Sequence, residues 1–191
     1  DPDPDPRFGA VESYQPPLVA AELDVGWDRL IIEWFRVQPL GPRHWLPVFP
    51  HGLHIRTAPE NRTYANHITF PLPQNDWAAD AQAAGREVTA LLMGTPGWAT
   101  EGVPVRGVPS GLYLPVHHAE NRWANFVRRM VSEHGGRIKH WIIWNEPDIA
   151  PNHPGAQFDG SVEDYYRLVK VAALAAWEVD PEAGIHLAAT T

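Results

Sequence analysis

One segment of this sequence carries residues whose types and spacing suit acid–base chemistry: His140-Trp141-Ile142-Ile143-Trp144-Asn145-Glu146-Pro147. Its apolar, β-branched and aromatic centre reads as a buried strand. Pro147 has no N–H to give a ladder, so it ends the strand. An amide and a carboxylic acid are thereby delivered side by side at the strand's C-terminal end. A carboxylic acid held near tryptophan and partly out of water favours its neutral form, ready to give a proton to a leaving oxygen. Glycosidic cleavage needs such a donor, and a neighbouring amide can hydrogen-bond a sugar hydroxyl in the same pose. Side chains alternate faces along a regular strand, so Asn145 and Glu146 can share a cavity only if the backbone breaks between them. A local bend or bulge is expected there. The plain alternative for Glu146 is a solvated carboxylate beside a strand end, which is what most glutamates are.

The elements that must position this pair follow from periodicity. Strands are expected at 8–14, 28–34, 87–93, 137–145 and 185–189, the middle ones with Leu/Ile/Val-rich centres. Helices are expected at 16–23, 76–84 (Asn75 as N-cap), 120–134 and from Ser161 to 179. The third has Trp123, Phe126, Val127, Met130 and Val131 on one stripe. The stretch 35–75 has many prolines and no sustained period, and reads as a long ordered loop with room for a small hairpin; 94–117 is a second. The order β-α-β-α-β-α-β-α-β indicates an α/β fold with a parallel sheet under helices. A doubly wound open sheet and a (β/α)₈ barrel both fit. The absence of Gly-x-Gly-x-x-Gly after the first strand weakens the dinucleotide-binding version. Long loops after strands and short ones after helices favour the barrel, whose sites are built from the former.

Composition narrows the partners. The chain has 191 residues, 44% of them apolar, and 15 Lys+Arg against 23 Asp+Glu, a net charge of -8. That balance opposes nucleic acid or an anionic membrane as partner. Cysteine is absent, so disulfides and thiolate metal sites are excluded. Of the 10 histidines, His51 and His54 fall in a loop, and none makes a His-x-x-x-His pair on an expected helix; neither a metal nor another cofactor is expected. A serine triad is not expected either, since no Gly-x-Ser-x-Gly elbow occurs. Asn61-Arg62-Thr63 fits a glycosylation triplet of little weight. The 9 tryptophans can be core filler or flat platforms for sugar rings. Residues 1–6, alternating Asp and Pro, read as a stiff linker or processed start, with 7–191 one domain.

Trp144-Asn145-Glu146-Pro147 after an apolar strand resembles the acid/base motif of the large clan of retaining (β/α)₈-barrel glycoside hydrolases. There, as on this strand count, it closes the fourth strand. Arg29-Leu30-Ile31-Ile32-Glu33-Trp34 resembles the clan's second strand, and Gly94-Thr95-Pro96-Gly97-Trp98-Ala99 the third-strand end of its β-xylosidase and α-iduronidase branch. The helix from Trp123 and the segment Asp180-Pro181-Glu182-Ala183-Gly184-Ile185 also look like that branch, while 35–75 has no match. The resemblance implies Glu146 as acid/base, Asn145 as sugar-contacting amide, and Arg29 as support for the nucleophile. Trp98, Trp34 and His117 are then candidate substrate contacts. The bland readings are that Arg29 pairs with Glu33 on the same strand face, that Trp98 anchors its loop, and that His117 caps a helix or lies on the surface. Glu33 stands where related enzymes carry a small polar residue, and its role is open.

A retaining pair also needs a second carboxylate about 5–5.5 Å from the first. The resemblance puts it at the end of strand seven, whereas this sequence reaches strand five of a barrel that typically needs about 250 residues. The nucleophile is therefore expected beyond residue 191, the chain being an excerpt covering roughly strands 1–5, inactive by itself and prone to association through its unpaired edge. The competing reading is a carbohydrate-binding pseudoenzyme or half-barrel without the nucleophile. A carbohydrate substrate and an extracellular setting complete the expectation.

Overall fold

The computed structural model of the chain describes residues 5–11, 17–46 and 77–191. Along it run β1 (Asp5–Val11), α1 (Pro17–Glu22), β2 (Val25–Glu33), α2 (Trp34–Val37), α3 (Trp77–Ala83), β3 (Glu87–Met93), α4 (Arg122–His134), β4 (His140–Ile143), α5 (Val162–Trp177) and β5 (Gly184–Leu187). The strands form one parallel sheet in the order β1-β2-β3-β4-β5. This order separates the two architectures. A doubly wound sheet reverses its strand order at a switch point. Parallel crossovers are right-handed, so an unreversed order puts every helix on the same face. The fold is α/β, a partial (β/α)₈ barrel.

Burial follows that geometry. Leu30 and Ile32 of β2, Val88, Ala90 and Leu92 of β3, and Trp141 and Ile143 of β4 are buried under the helices with Trp123, Phe126, Val127 and Met130 of α4 and Leu168, Val171 and Ala172 of α5. The alternate residues Arg29, Ile31, Thr89 and Ile142 lie on the inner face and are partly exposed; Leu91, at its centre, is buried. Helix ends are written in side chains. The Asn121 side chain accepts from the Ala124 N–H at 3.1 Å and starts α4. Ser161 and Asp164 form a reciprocal capping box at the start of α5. Burial pushes the Asp164 carboxyl up, but the Ser161 N–H and the Tyr113 and Ser161 hydroxyls outweigh it and hold the group below its ordinary value. On β1, the Trp27 ring lies across Gly9 so closely that a Cβ there would fall 1.7 Å from it.

Several boundaries differ from expectation. β1 begins at Asp5, inside the stretch read as a linker. Alternating proline already holds an extended backbone, and an edge strand tolerates proline. α2 occupies the start of the expected 35–75 loop, its Trp34 and Val37 buried. The rest of that loop from 47, with the hairpin, the Asn75 cap and the glycosylation triplet, lies outside the described residues, as do residues 1–4 and 12–16. β4 is shorter than 137–145 because its backbone leaves the regular strand after Ile143.

The ends of β4 and β5 are tied by one hydroxyl. Tyr165 Oη donates to the Ile143 carbonyl at 3.0 Å and accepts from the Ala188 N–H at 2.7 Å. Burial raises this phenol, partly offset by the Ala188 N–H. Tyr165→Phe strands both backbone groups and is expected to cost about 1–3 kcal/mol in urea unfolding. An unchanged midpoint would show that the hydroxyl does not hold the two strand ends.

Candidate active site

The site is built where β4 stops being regular. Trp141 and Ile143 face the helices, so alternation would send Trp144 inward. Instead Trp144 has φ 71° and is fully buried on the helix side. Its ring lies 6.2 Å from Trp123 of α4 and 5.2 Å from Phe158, and its Nε1 donates to the Gln157 carbonyl at 2.8 Å. Glu146 is also left-handed, at φ 42°. Such backbone costs non-glycine residues roughly 1–3 kcal/mol each. Burying an indole of about 150–250 Å² at about 25 cal/mol per Å² contributes roughly 4–6 kcal/mol, enough to hold the Trp144 turn. The backbone stays bonded to both neighbours, the Trp144 N–H to the Leu92 carbonyl at 2.9 Å and the Glu146 N–H to the Ala189 carbonyl at 3.2 Å.

The consequence is that Asn145 and Glu146 reach one partner. Gln157 Nε2 donates to Glu146 Oε2 at 3.1 Å, and Asn145 Nδ2 donates to Gln157 Oε1 at 3.1 Å. The break expected between Asn145 and Glu146 is present as two left-handed residues, one on each side of Asn145. Both side chains are half-buried at the C-terminal ends of the strands. Gln157 had no signal in the sequence. Its neighbour Phe158, an apolar residue in a proline-rich loop and 1% exposed, was the available hint that this loop folds back.

The other expected site residues do not gather here. Trp34 is fully buried, stacked on Phe126 at 4.9 Å and meeting Trp98 edge-on at 5.9 Å, so it has no face for a sugar and is a core residue. His117 is exposed on the outer surface and pairs with Glu178 at the C-terminal end of α5, 3.2 Å away. A helix of 16 residues spans about 24 Å, which separates His117 from the strand ends where α5 begins. Arg29 is level with Thr89 and His140 in the sheet. Glu146 follows His140 by six residues, so Arg29 lies deeper along the sheet than Glu146. Nor does Arg29 pair with Glu33: Arg36 holds that carboxylate at 2.6 Å, and Arg29 Nε has no hydrogen-bond partner among the described residues. Trp98, in the turn after β3, is half-buried. Its Nε1 donates to the Gln38 carbonyl at 2.7 Å, and the Arg122 guanidinium lies 5.2 Å over its ring. It is fixed as the anchor of its loop.

Below the strand ends, the inner face encloses a concave space of about 490 Å³ lined by Trp27, Arg29, Thr89, His140, Ile142 and His186 among others. His140 Nδ1 and His186 Nε2 are 2.9 Å apart, at hydrogen-bond distance, with the tautomer deciding which of them donates. Among the described residues no three His, Asp or Glu side chains converge to hold a metal, and no helix is long and apolar enough to cross a membrane.

No family model and no curated protein matches the chain. Solved structures do. A family 39 glycoside hydrolase from the gut symbiont Bacteroides cellulosilyticus WH2 superposes with a TM-score of 0.60 at 16% identity, over 97% of this chain and 32% of that one. The shared fold is that of part of a (β/α)₈ barrel. A family 1 β-glucosidase from Thermotoga maritima aligns at 17% identity with a TM-score of 0.49, over 92% of this chain and 37% of its own. A glucosidase from Croceicoccus marinus gives 14% and 0.48, over 87% and 31%. The chain thus spans about a third of the length of the solved structures it matches.

Burial first, and then the charge of His140, hold His186 below the 6.5 ordinary for histidine. A depressed histidine leaves the fold fully stable above 6.5 and withdraws stability as pH falls through its lowered value. Thermal unfolding between pH 8 and pH 4 is expected to show this decline, and His186→Gln to flatten it. A variant profile parallel to the wild type would remove His186 from the account.

Proposed function

We propose that the protein is a glycoside hydrolase cleaving O-glycosidic bonds with retention, with Glu146 as general acid/base. The observation that carries this reading is the shared hold of Gln157 on Asn145 and Glu146 at the C-terminal end of β4. Barrel active sites are built at that end of the strands. The Trp-Asn-Glu-Pro motif and the barrel fold support the same assignment. The chain from β1 onward, residues 5–191, is assigned to the N-terminal part of a catalytic domain, in the branch resembling β-xylosidases and α-iduronidases. Its substrate is a carbohydrate.

In the first step a nucleophilic carboxylate attacks the anomeric carbon while the bond to the leaving oxygen breaks, and the Glu146 proton passes to that oxygen. In the second, the Glu146 carboxylate takes a proton from water as the water oxygen bonds to the anomeric carbon and expels the nucleophile. Asn145, steadied through Gln157, hydrogen-bonds a sugar hydroxyl. Trp98 holds the loop after the adjacent strand β3 at the rim. Retaining pairs stand about 5–5.5 Å apart. Among the described residues Gln157 is the group hydrogen-bonded to the Glu146 carboxylate, and the nucleophile is assigned to a strand beyond residue 191.

Glu146→Gln tests the role. With a panel of alkyl glycosides, whose leaving groups need a proton, the variant is expected to lose roughly 10²–10⁴-fold in kcat. Nitrophenyl glycosides, whose leaving groups need none, are expected to keep their first step and show a burst. Equal loss on both panels, or none on the alkyl one, would remove Glu146 from proton transfer.

A further inference from the structure

At the opposite end of the strands, where α3 and α4 turn into β3 and β4, lies a second cavity of about 300 Å³. It is lined by Arg86, Arg137 and Lys139, with Gln82, Gly85, Gly136 and the single carboxylate Glu87 among the rest. Arg86 is the unusual member. It is 7% exposed, and its Nε has no hydrogen-bond partner among the described residues. A buried guanidinium nitrogen normally finds a carboxylate or carbonyl, because desolvation without a partner is costly. Arg137 shows the ordinary solution, donating from Nη2 to the Glu133 carbonyl at 2.8 Å. Glu87 does not serve Arg86: it is exposed and lies on the inner face opposite Trp27.

We propose that this cavity is a binding site for a phosphate group, with Arg86 as its buried anchor and Lys139 and Arg137 at its rim. The charge balance supports an anion. Three permanent cations face one carboxylate, and the carbonyl ends of α3 and α4 add only about half a negative charge each. The cavity is therefore net positive in a chain whose overall charge is -8. A planar guanidinium binds two phosphate oxygens at once, the geometry for which arginine is suited. The volume is at the small end of ligand sites, room for a phosphate with a small group attached. The site opens at the N-terminal ends of β3 and β4, away from Glu146, so its ligand does not compete with a substrate at the strand C-termini and acts through stability.

The test is thermal unfolding and calorimetric titration of the protein with inorganic phosphate and with glucose 6-phosphate, each against chloride at equal ionic strength. Phosphate is expected to raise the melting temperature of the wild type and not of Arg86→Met, which removes the charge at similar volume. Without phosphate, Arg86→Met is expected to melt no lower than the wild type. Lys139→Gln, at the exposed rim, is expected to bind several-fold more weakly. A larger effect of glucose 6-phosphate would identify a monoester as ligand, and an equal effect the phosphate group alone; either supports the site. No rise in the wild type at 10 mM, or the same rise in Arg86→Met, would overturn it.

Discussion

The site depends on the burial of one indole. Trp144 turns through left-handed backbone so that its ring joins Trp123 and Phe158 beneath the helices. Had the strand kept its alternation, Trp144 would face the barrel interior, and Asn145 and Glu146 would point to opposite sides. The hydrophobic gain of the ring outweighs the strain of the turn, and the two polar side chains emerge together. The energy that holds the Trp144 turn is thus supplied by the core.

The same burial sets the return path of the chain. The Trp144 indole N–H takes the Gln157 carbonyl, and Phe158 packs on its ring, so the loop after Pro147 is pinned with the Gln157 side chain beside Asn145 and Glu146. Tyr165, one turn into α5, packs on Phe158 at 6.2 Å and joins the ends of β4 and β5. An aromatic series from Trp34 and Phe126 through Trp123 and Trp144 to Phe158 and Tyr165 therefore runs beneath the strand ends. It explains much of the tryptophan content as packing and leaves the recognition of substrate to fewer groups.

What could be read from the sequence follows the range of the interactions involved. β3 was legible to the residue, and α4 and α5 nearly so, because period, caps and closing glycines are local signals. The break at the Asn-Glu pair was legible in kind, since a two-residue alternation cannot place neighbours on one side. Its location at Trp144 was not, because that depends on rings contributed by α4 and by a later loop. Trp34 was misread because an aromatic at a strand end is a platform or a core residue according to what α4 lays over it, here Phe126. Arg29 was named from the resemblance of its strand, and its depth in the sheet, level with Thr89 and His140, is a matter of register that alternation does not give. His117 fell on the outer surface because the loop that carries it runs along the outside of α4 and α5, held by Arg128 and Arg167. Gln157 could not be found at all, since an amide in an irregular loop carries no pattern.

The most direct measurement is a crystal structure with an unreacted glycoside or a glycoside-like inhibitor bound. The account predicts Trp144 buried in left-handed backbone, the Glu146 carboxyl within about 2.6–3.2 Å of the glycosidic oxygen, and Asn145 bonded to a sugar hydroxyl. A regular strand through Trp144, or a sugar seated away from Glu146, would contradict it.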